Sequence, residues 1–156
     1  MLTNDRLPVC LSLASVDRHL FSFVETAATV YRKDYQRFHI LLSGSSLPDW
    51  EPEITHNNTY GPRLIWLELS PNRLVMTMQG SQRLNYRHFW ERGIYGVSRY
   101  WLQSDSGYES FRLRNYTRNF QWHGRVLPEH LRLEYELWTE SLCLGRYVLN
   151  LEIEGH

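Results

Sequence analysis

Val16-Asp17-Arg18-His19-Leu20-Phe21-Ser22-Phe23-Val24-Glu25-Thr26-Ala27-Ala28-Thr29-Val30-Tyr31-Arg32-Lys33-Asp34 is the stretch on which the fold class turns. Val16, Leu20, Phe23, Val24, Ala27 and Tyr31 recur at three- and four-residue steps, the spacing that gathers side chains on one face of a helix. Ser15 or Asp17 can cap the start by accepting backbone N–H bonds, and Arg32, Lys33 and Asp34 make a polar end. The spacing predicts a long amphipathic helix from Val16 to Asp34.

Around it the chain reads as β. Phe38 to Leu42 is a strand, and Leu47 to Pro62, rich in Pro and Asn, is a long surface loop. Leu64–Leu69 and Arg73–Gln79 flank Ser70-Pro71-Asn72 as a hairpin, with Leu74, Met76 and Met78 alternating. Leu131, Leu133, Tyr135 and Leu137 point one way while Arg132, Glu134 and Glu136 point the other. Tyr147, Leu149, Leu151 and Ile153 repeat that pattern, and Phe111 and Leu113 alternate with Arg112 and Arg114. Gly93 to Gly107 fits two descriptions. Val97, Tyr100, Trp101 and Ser104 fit a helix face, and two strands joined at Ser104-Asp105-Ser106-Gly107 fit equally well. An antiparallel sheet with one apolar face must cover it. The expectation is therefore an α+β fold, a curved antiparallel sheet or small barrel wrapped around or covered by the one long N-terminal helix.

Composition narrows the function classes. A chain of 156 residues suits a single domain, 1–156. Hydrophobic residues at 42% and aromatics at 14% are too many for a disordered chain. With 17 basic against 17 acidic residues, nucleic acid or anionic membrane is not held by bulk charge. No apolar run is long enough for a membrane span, and the start lacks a secretory pattern, so a soluble cytoplasmic protein is expected. The Asn57-Asn58-Thr59 and Asn115-Tyr116-Thr117 glycosylation matches then carry no weight. Cys10 and Cys143 are too few for a disulfide scaffold, and the seven His lack metal-ligand spacing, so neither a metal nor another cofactor is expected. Of the basic residues 16 are Arg, and eight of them lie between Arg83 and Arg125 against three acids. Basic and acidic strands that pair across a sheet would explain this, and so would a cationic mouth for an anionic ligand.

The segment Arg87-His88-Phe89-Trp90-Glu91-Arg92-Gly93-Ile94-Tyr95-Gly96-Val97 resembles the motif of hot-dog-fold hydroxyacyl-thioester dehydratases and thioesterases. There a His-Phe pair precedes glycine-bearing turns, a Gly-Val and the central helix. Gly124-Arg125-Val126-Leu127-Pro128 before an alternating strand is similar to the same family's late strands. The matches touch the C-terminal half only. The helix acid of the family has no counterpart in Ser98-Arg99-Tyr100-Trp101. The resemblance implies a helix from Gly93, a homodimer through sheet edges and an acyl-thioester ligand. It also implies His88 as catalytic base, Glu91 or Glu109 as stand-in acid, and the Gly96 and Val97 amides as oxyanion donors. Tyr100, Trp101, Arg112 and Arg114 are the expected substrate-binding side chains. Aromatics and Arg around one interior suit equally a non-catalytic, lipocalin-like barrel that holds a hydrophobic or tetrapyrrole-like molecule, or an assembly subunit. Arg interleaved with Trp and Tyr could also stack on single-stranded nucleic acid, a reading the neutral charge disfavours.

Overall fold

The computed structural model describes residues 3–17, 21–44, 63–79, 84–125 and 128–154. Its elements are β1 (Thr3–Ser15), β2 (Phe21–Asp34), β3 (Arg37–Gly44), β4 (Arg63–Ser70), β5 (Arg73–Gln79), β6 (Leu84–Glu91), β7 (Tyr95–Ser104), β8 (Gly107–His123), β9 (His130–Trp138) and β10 (Cys143–Ile153). No helix forms among the described residues. Each strand pairs antiparallel with its neighbours in the chain, and β1 also pairs with β10, so the sheet closes on itself. The fold is an all-β, up-and-down barrel, which corrects the expected α+β architecture.

The correction has a specific cause. Val16, Leu20 and Val24, like Phe23, Ala27 and Tyr31, stand four residues apart, and a step of four keeps side chains on one side of a strand as well as of a helix. The stretch is rich in Val, Thr, Phe and Tyr, which suit a pleated surface. Two ladders then decide the matter. The strand β2 pairs with β1 from Thr3↔Arg32 to Ala14↔Phe21, and with β3 from Thr29↔Leu41 to Asp34↔Arg37. Val24, Ala28 and Val30 point inward, while Phe21 and Phe23 lie on the outside, 65% and 56% exposed. The central helix implied by the dehydratase resemblance is likewise absent. Gly93 sits in the turn Arg92–Ile94, and Tyr95–Ser104 is strand, joined to β8 through Asp105 and Ser106. The expected Leu47–Pro62 loop lies outside the described residues.

The other strand assignments are formed. The hairpin at Pro71-Asn72 joins β4 to β5, and Leu74, Met76 and Met78 are buried. Leu131, Leu133, Tyr135 and Leu137 face inward on β9, opposite Leu151, Leu149, Tyr147 and Gly145 of β10. Most of the interior is aliphatic and tightly filled: Leu11, Ile40, Leu67, Leu74, Leu131 and Leu149 have no exposed surface. Packing of this density makes each burial worth roughly 1.5–3 kcal/mol.

Several strands run past their neighbours: Phe21–Ala28 of β2 pairs with β1 alone, and the first half of β8 is a further case. Pairing of β8 with β9 begins at Arg114↔Trp138, whereas Gly107–Leu113 pairs with β7 alone. A second irregularity lies where β6 meets β7. A Cβ on Gly96 would collide with the Phe89 carbonyl oxygen and stand 2.8 Å from Asn115 Oδ1. Glycine is thus required for β6 to pass this close. Gly96→Ala should lower stability by about 1–3 kcal/mol through overpacking, read as a lower urea midpoint at unchanged m-value.

Candidate functional site

Strand alternation gives the barrel interior two chemically different sides. Along β6 the inward positions are Leu84, Tyr86, His88 and Trp90. On β7 they include Gly96, Ser98 and Tyr100, and on β8 Phe111, Leu113, Asn115 and Thr117, followed by Phe120 after a register shift between Thr117 and Asn119. His88 stands opposite Ser98, and Asn115 opposite Gly96. Three polar side chains thereby meet in the core. His88 Nδ1 lies 2.7 Å from Ser98 Oγ, and Asn115 Nδ2 donates to the same oxygen at 2.9 Å.

This network is incomplete. Trp90 Nε1, Asn115 Oδ1 and Thr117 Oγ1 are buried and have no hydrogen-bond partner among the described residues. Their three residues have no exposed surface at all. Leaving such a group unmade costs about 1–3 kcal/mol, so the arrangement is expensive for a plain core.

Aromatic rings connect this cluster to the first half of β8. Phe111, 42% exposed, stacks on Tyr100 with ring centroids 5.0 Å apart. Tyr100 meets His88 edge-on at 5.5 Å, and His88 stacks on Trp90 at 4.8 Å with the rings nearly parallel. Trp90 contacts Tyr135 at 4.9 Å, and Tyr135 stacks on Tyr147 at 5.3 Å. A line of rings thus runs from solvent to the unpartnered polar atoms.

No carboxylate among the described residues is hydrogen-bonded to His88, where an acid partner was expected; its Nδ1 meets Ser98 Oγ. Burial pushes its imidazole pKa from the ordinary 6.5 down to about 3, so it is neutral at physiological pH. Glu91, on the opposite face of β6, is held from outside by Arg73 at 2.7 Å. Glu109 lies on the exposed half of β8 that pairs with β7 alone. Neither carboxylate is hydrogen-bonded to the imidazole. Burial also raises the hydroxyl pKa values of Tyr100 and Tyr135, so both rings keep their protons.

The remaining predicted residues divide between the two faces of the wall. Gly96 and Tyr100 border the interior cluster. Val97, Trp101, Arg112 and Arg114 alternate with them and face outward, with Arg114 lying 5.0 Å over the Tyr95 ring and donating to the Glu140 carbonyl at 3.3 Å. The amides of Gly96 and Val97 belong to a strand, and no helix start gathers them into an oxyanion hole. Sequence reasoning missed Ser98, Asn115 and Thr117. The signal was available: the Phe111, Leu113 alternation, carried two steps further, lands on Asn115 and Thr117. No group of His, Cys, Asp and Glu among the described residues is arranged to hold a metal ion.

No protein-family model and no curated protein matches this chain. Among solved structures, the YwiB protein from Bacillus subtilis is similar over 96% of this chain and 94% of its own, with a TM-score of 0.56 and 14% sequence identity. Likeness at that identity concerns the fold alone. No helix of the described residues is long and apolar enough to cross a membrane.

His88 gives the cluster a pH signature. Its folded pKa lies below the unfolded value, so the unfolded chain binds the extra proton between about pH 6.5 and 3. Stability should therefore be fully present above about pH 6.5 and fall as the solution is acidified, by about 1.4 kcal/mol per pH unit from this residue. Urea unfolding of the wild type and His88→Gln at several pH values checks this: the variant should show a shallower dependence.

Proposed function

We propose that the chain is a lipocalin-like binding barrel whose ligand is a small hydrophobic molecule with a hydrogen-bonding end. The ligand's apolar body lies along the Phe111–Tyr100–Trp90 line of rings, and its polar end meets Trp90, Asn115 and Thr117. The observation that carries this reading is the set of three unpartnered polar atoms at the inner end of that line. One indole N–H donor, one amide oxygen acceptor and one hydroxyl that does either define the chemistry of the polar end.

Two features support binding over turnover. The buried imidazole of His88 is too weak a base to hold a proton at neutral pH, and no carboxylate among the described residues partners it. An acyl chain suits the aromatic line as a ligand. The thioester chemistry itself has lost its support, since the helix that was to supply the oxyanion amides is strand. We place the ligand's entry beside Gly107–Leu113, which pairs with β7 alone, next to the exposed Phe111.

Native mass spectrometry of protein purified from cells should show a bound small molecule, and titration with a fluorescent fatty acid should quench tryptophan emission. Thr117→Val should weaken the fatty acid by about tenfold, the loss of one hydrogen bond to a buried partner, while leaving the thermal midpoint unchanged or raised. A bare mass in repeated preparations together with no binding of the fatty acid would sink the proposal, because ordered water alone would then be completing the cluster.

A further inference from the structure

The opposite face of the same strands carries a feature the interior does not explain. Arg87, Arg99 and Arg112 stand directly opposite one another on β6, β7 and β8. Like charges in register across a ladder repel. Glu68 approaches Arg87 at 3.6 Å, but Arg99 and Arg112 have no acidic partner among the described residues. Elsewhere in the Arg-rich segment, Arg118 of β8 pairs with Glu136 of β9 at 2.8 Å, as side-by-side basic and acidic strands would.

The row continues in register to an aromatic. Arg87 is opposite Thr77, and Thr77 is opposite Trp66, which is 42% exposed and braced edge-on by His39 at 5.4 Å. Trp66, Thr77, Arg87, Arg99 and Arg112 therefore form one line across five consecutive strands, roughly 19 Å long at the usual strand spacing. Trp101 is the next outward position after Arg99 on β7. Two shallow grooves run along the Trp66, Thr77 and Arg87 part of this line and reach Trp101, while Arg99 and Arg112 stand outside both. One of about 270 Å3 holds Trp66, Thr77, Gln79 and Arg87, and the next, of about 530 Å3, shares the last three and adds Trp101 and Tyr108. A third groove leads away from Arg87 past Arg37 and Arg73, but these are already paired with Asp34 and Glu91.

We propose that this outer face binds single-stranded nucleic acid, with Arg87, Arg99 and Arg112 on phosphates and Trp66 and Trp101 stacked on bases. Guanidinium forks match phosphate oxygens, and aromatic faces accept any unstacked base. The open grooves suit an extended strand. A duplex hides its bases from both tryptophans, and an acidic peptide would leave them without stacking partners. The balanced charge of the whole chain excludes only binding by bulk charge. The row concentrates three cations on one line, with Glu68 beside Arg87 at one end and no acidic partner on Arg99 or Arg112 among the described residues.

Fluorescence anisotropy of a labelled single-stranded oligonucleotide with the full chain tests this. Log affinity should fall with log salt at a slope of about −2, from about −0.7 for each of three phosphates. Arg99→Gln/Arg112→Gln should reduce that slope to about −0.7 and melt no lower than wild type, because it removes a repulsion. Trp101→Ala and Trp66→Ala should each cost about tenfold in affinity at unchanged slope, with loss of the tryptophan quenching. The same sequence as a duplex, heparin and a nucleoside triphosphate should all bind more weakly. Absence of binding at low salt overturns the proposal. So does a duplex, heparin or the mononucleotide that binds as tightly as the strand, or a tryptophan variant that binds unchanged.

Discussion

Closure of the hydrogen-bond ladder is the constraint from which the rest of this molecule follows. Pairing from Val9↔Ile153 to Ser15↔Tyr147 joins the last strand to the first, so the inward and outward sets of side chains are locked all the way round. A slip of one residue in any pair would turn a row of leucines to solvent and bring arginines inside. The described interior carries no charged side chain as a result, and the arginines of β6 to β8 are confined to the outside.

Within that frame the barrel is lopsided. One side of the interior is filled with leucine, isoleucine and valine, and contributes the hydrophobic stabilisation expected of a closed sheet. The other side, on β6 to β8, gives up part of that gain to hold His88, Ser98, Asn115 and Thr117. Gly96 shows how closely the two requirements are fitted. Its missing side chain lets β6 approach and leaves room for the Asn115 amide, whose nitrogen then reaches Ser98. Polar groups set this deep persist where they specify a partner or a geometry, since each is a loss when unpaired.

Much of the strand layout was legible in the chain, and the reason is physical. Where one face is buried and the other wet, as in Leu131–Leu137 and Tyr147–Ile153, alternation reports the pleat directly. It failed in Val16–Asp34 because apolar residues occupy both faces of β2, including the exposed Phe21 and Phe23, so the two-residue period was blurred. What remained visible was the four-residue step, common to helix and strand. For Gly93–Gly107 the residues left helix and hairpin level, and a family resemblance tipped the choice the wrong way. The site was half legible. His88, Gly96 and Tyr100 were found as neighbours of a motif, but the choice of His88 as a base assumed a solvated imidazole with a carboxylate beside it. Burial and partner identity are set by which strands lie across the barrel, and local spacing does not contain that. Arg112 and Trp101 were grouped with Tyr100 by proximity in the chain, although the pleat sends them through to the other side of the wall.

The pairing of β1 with β10 also shapes how the molecule is made. Strand β1 gains its first neighbour as soon as β2 emerges during synthesis, but its other edge waits for the final ladder. Until then the growing sheet is an open ribbon with a bare flank and its leucines uncovered, a form prone to join other chains edge to edge. Contacts of such long sequence separation form slowly, so sealing the barrel is the late step of folding and the interval of greatest vulnerability.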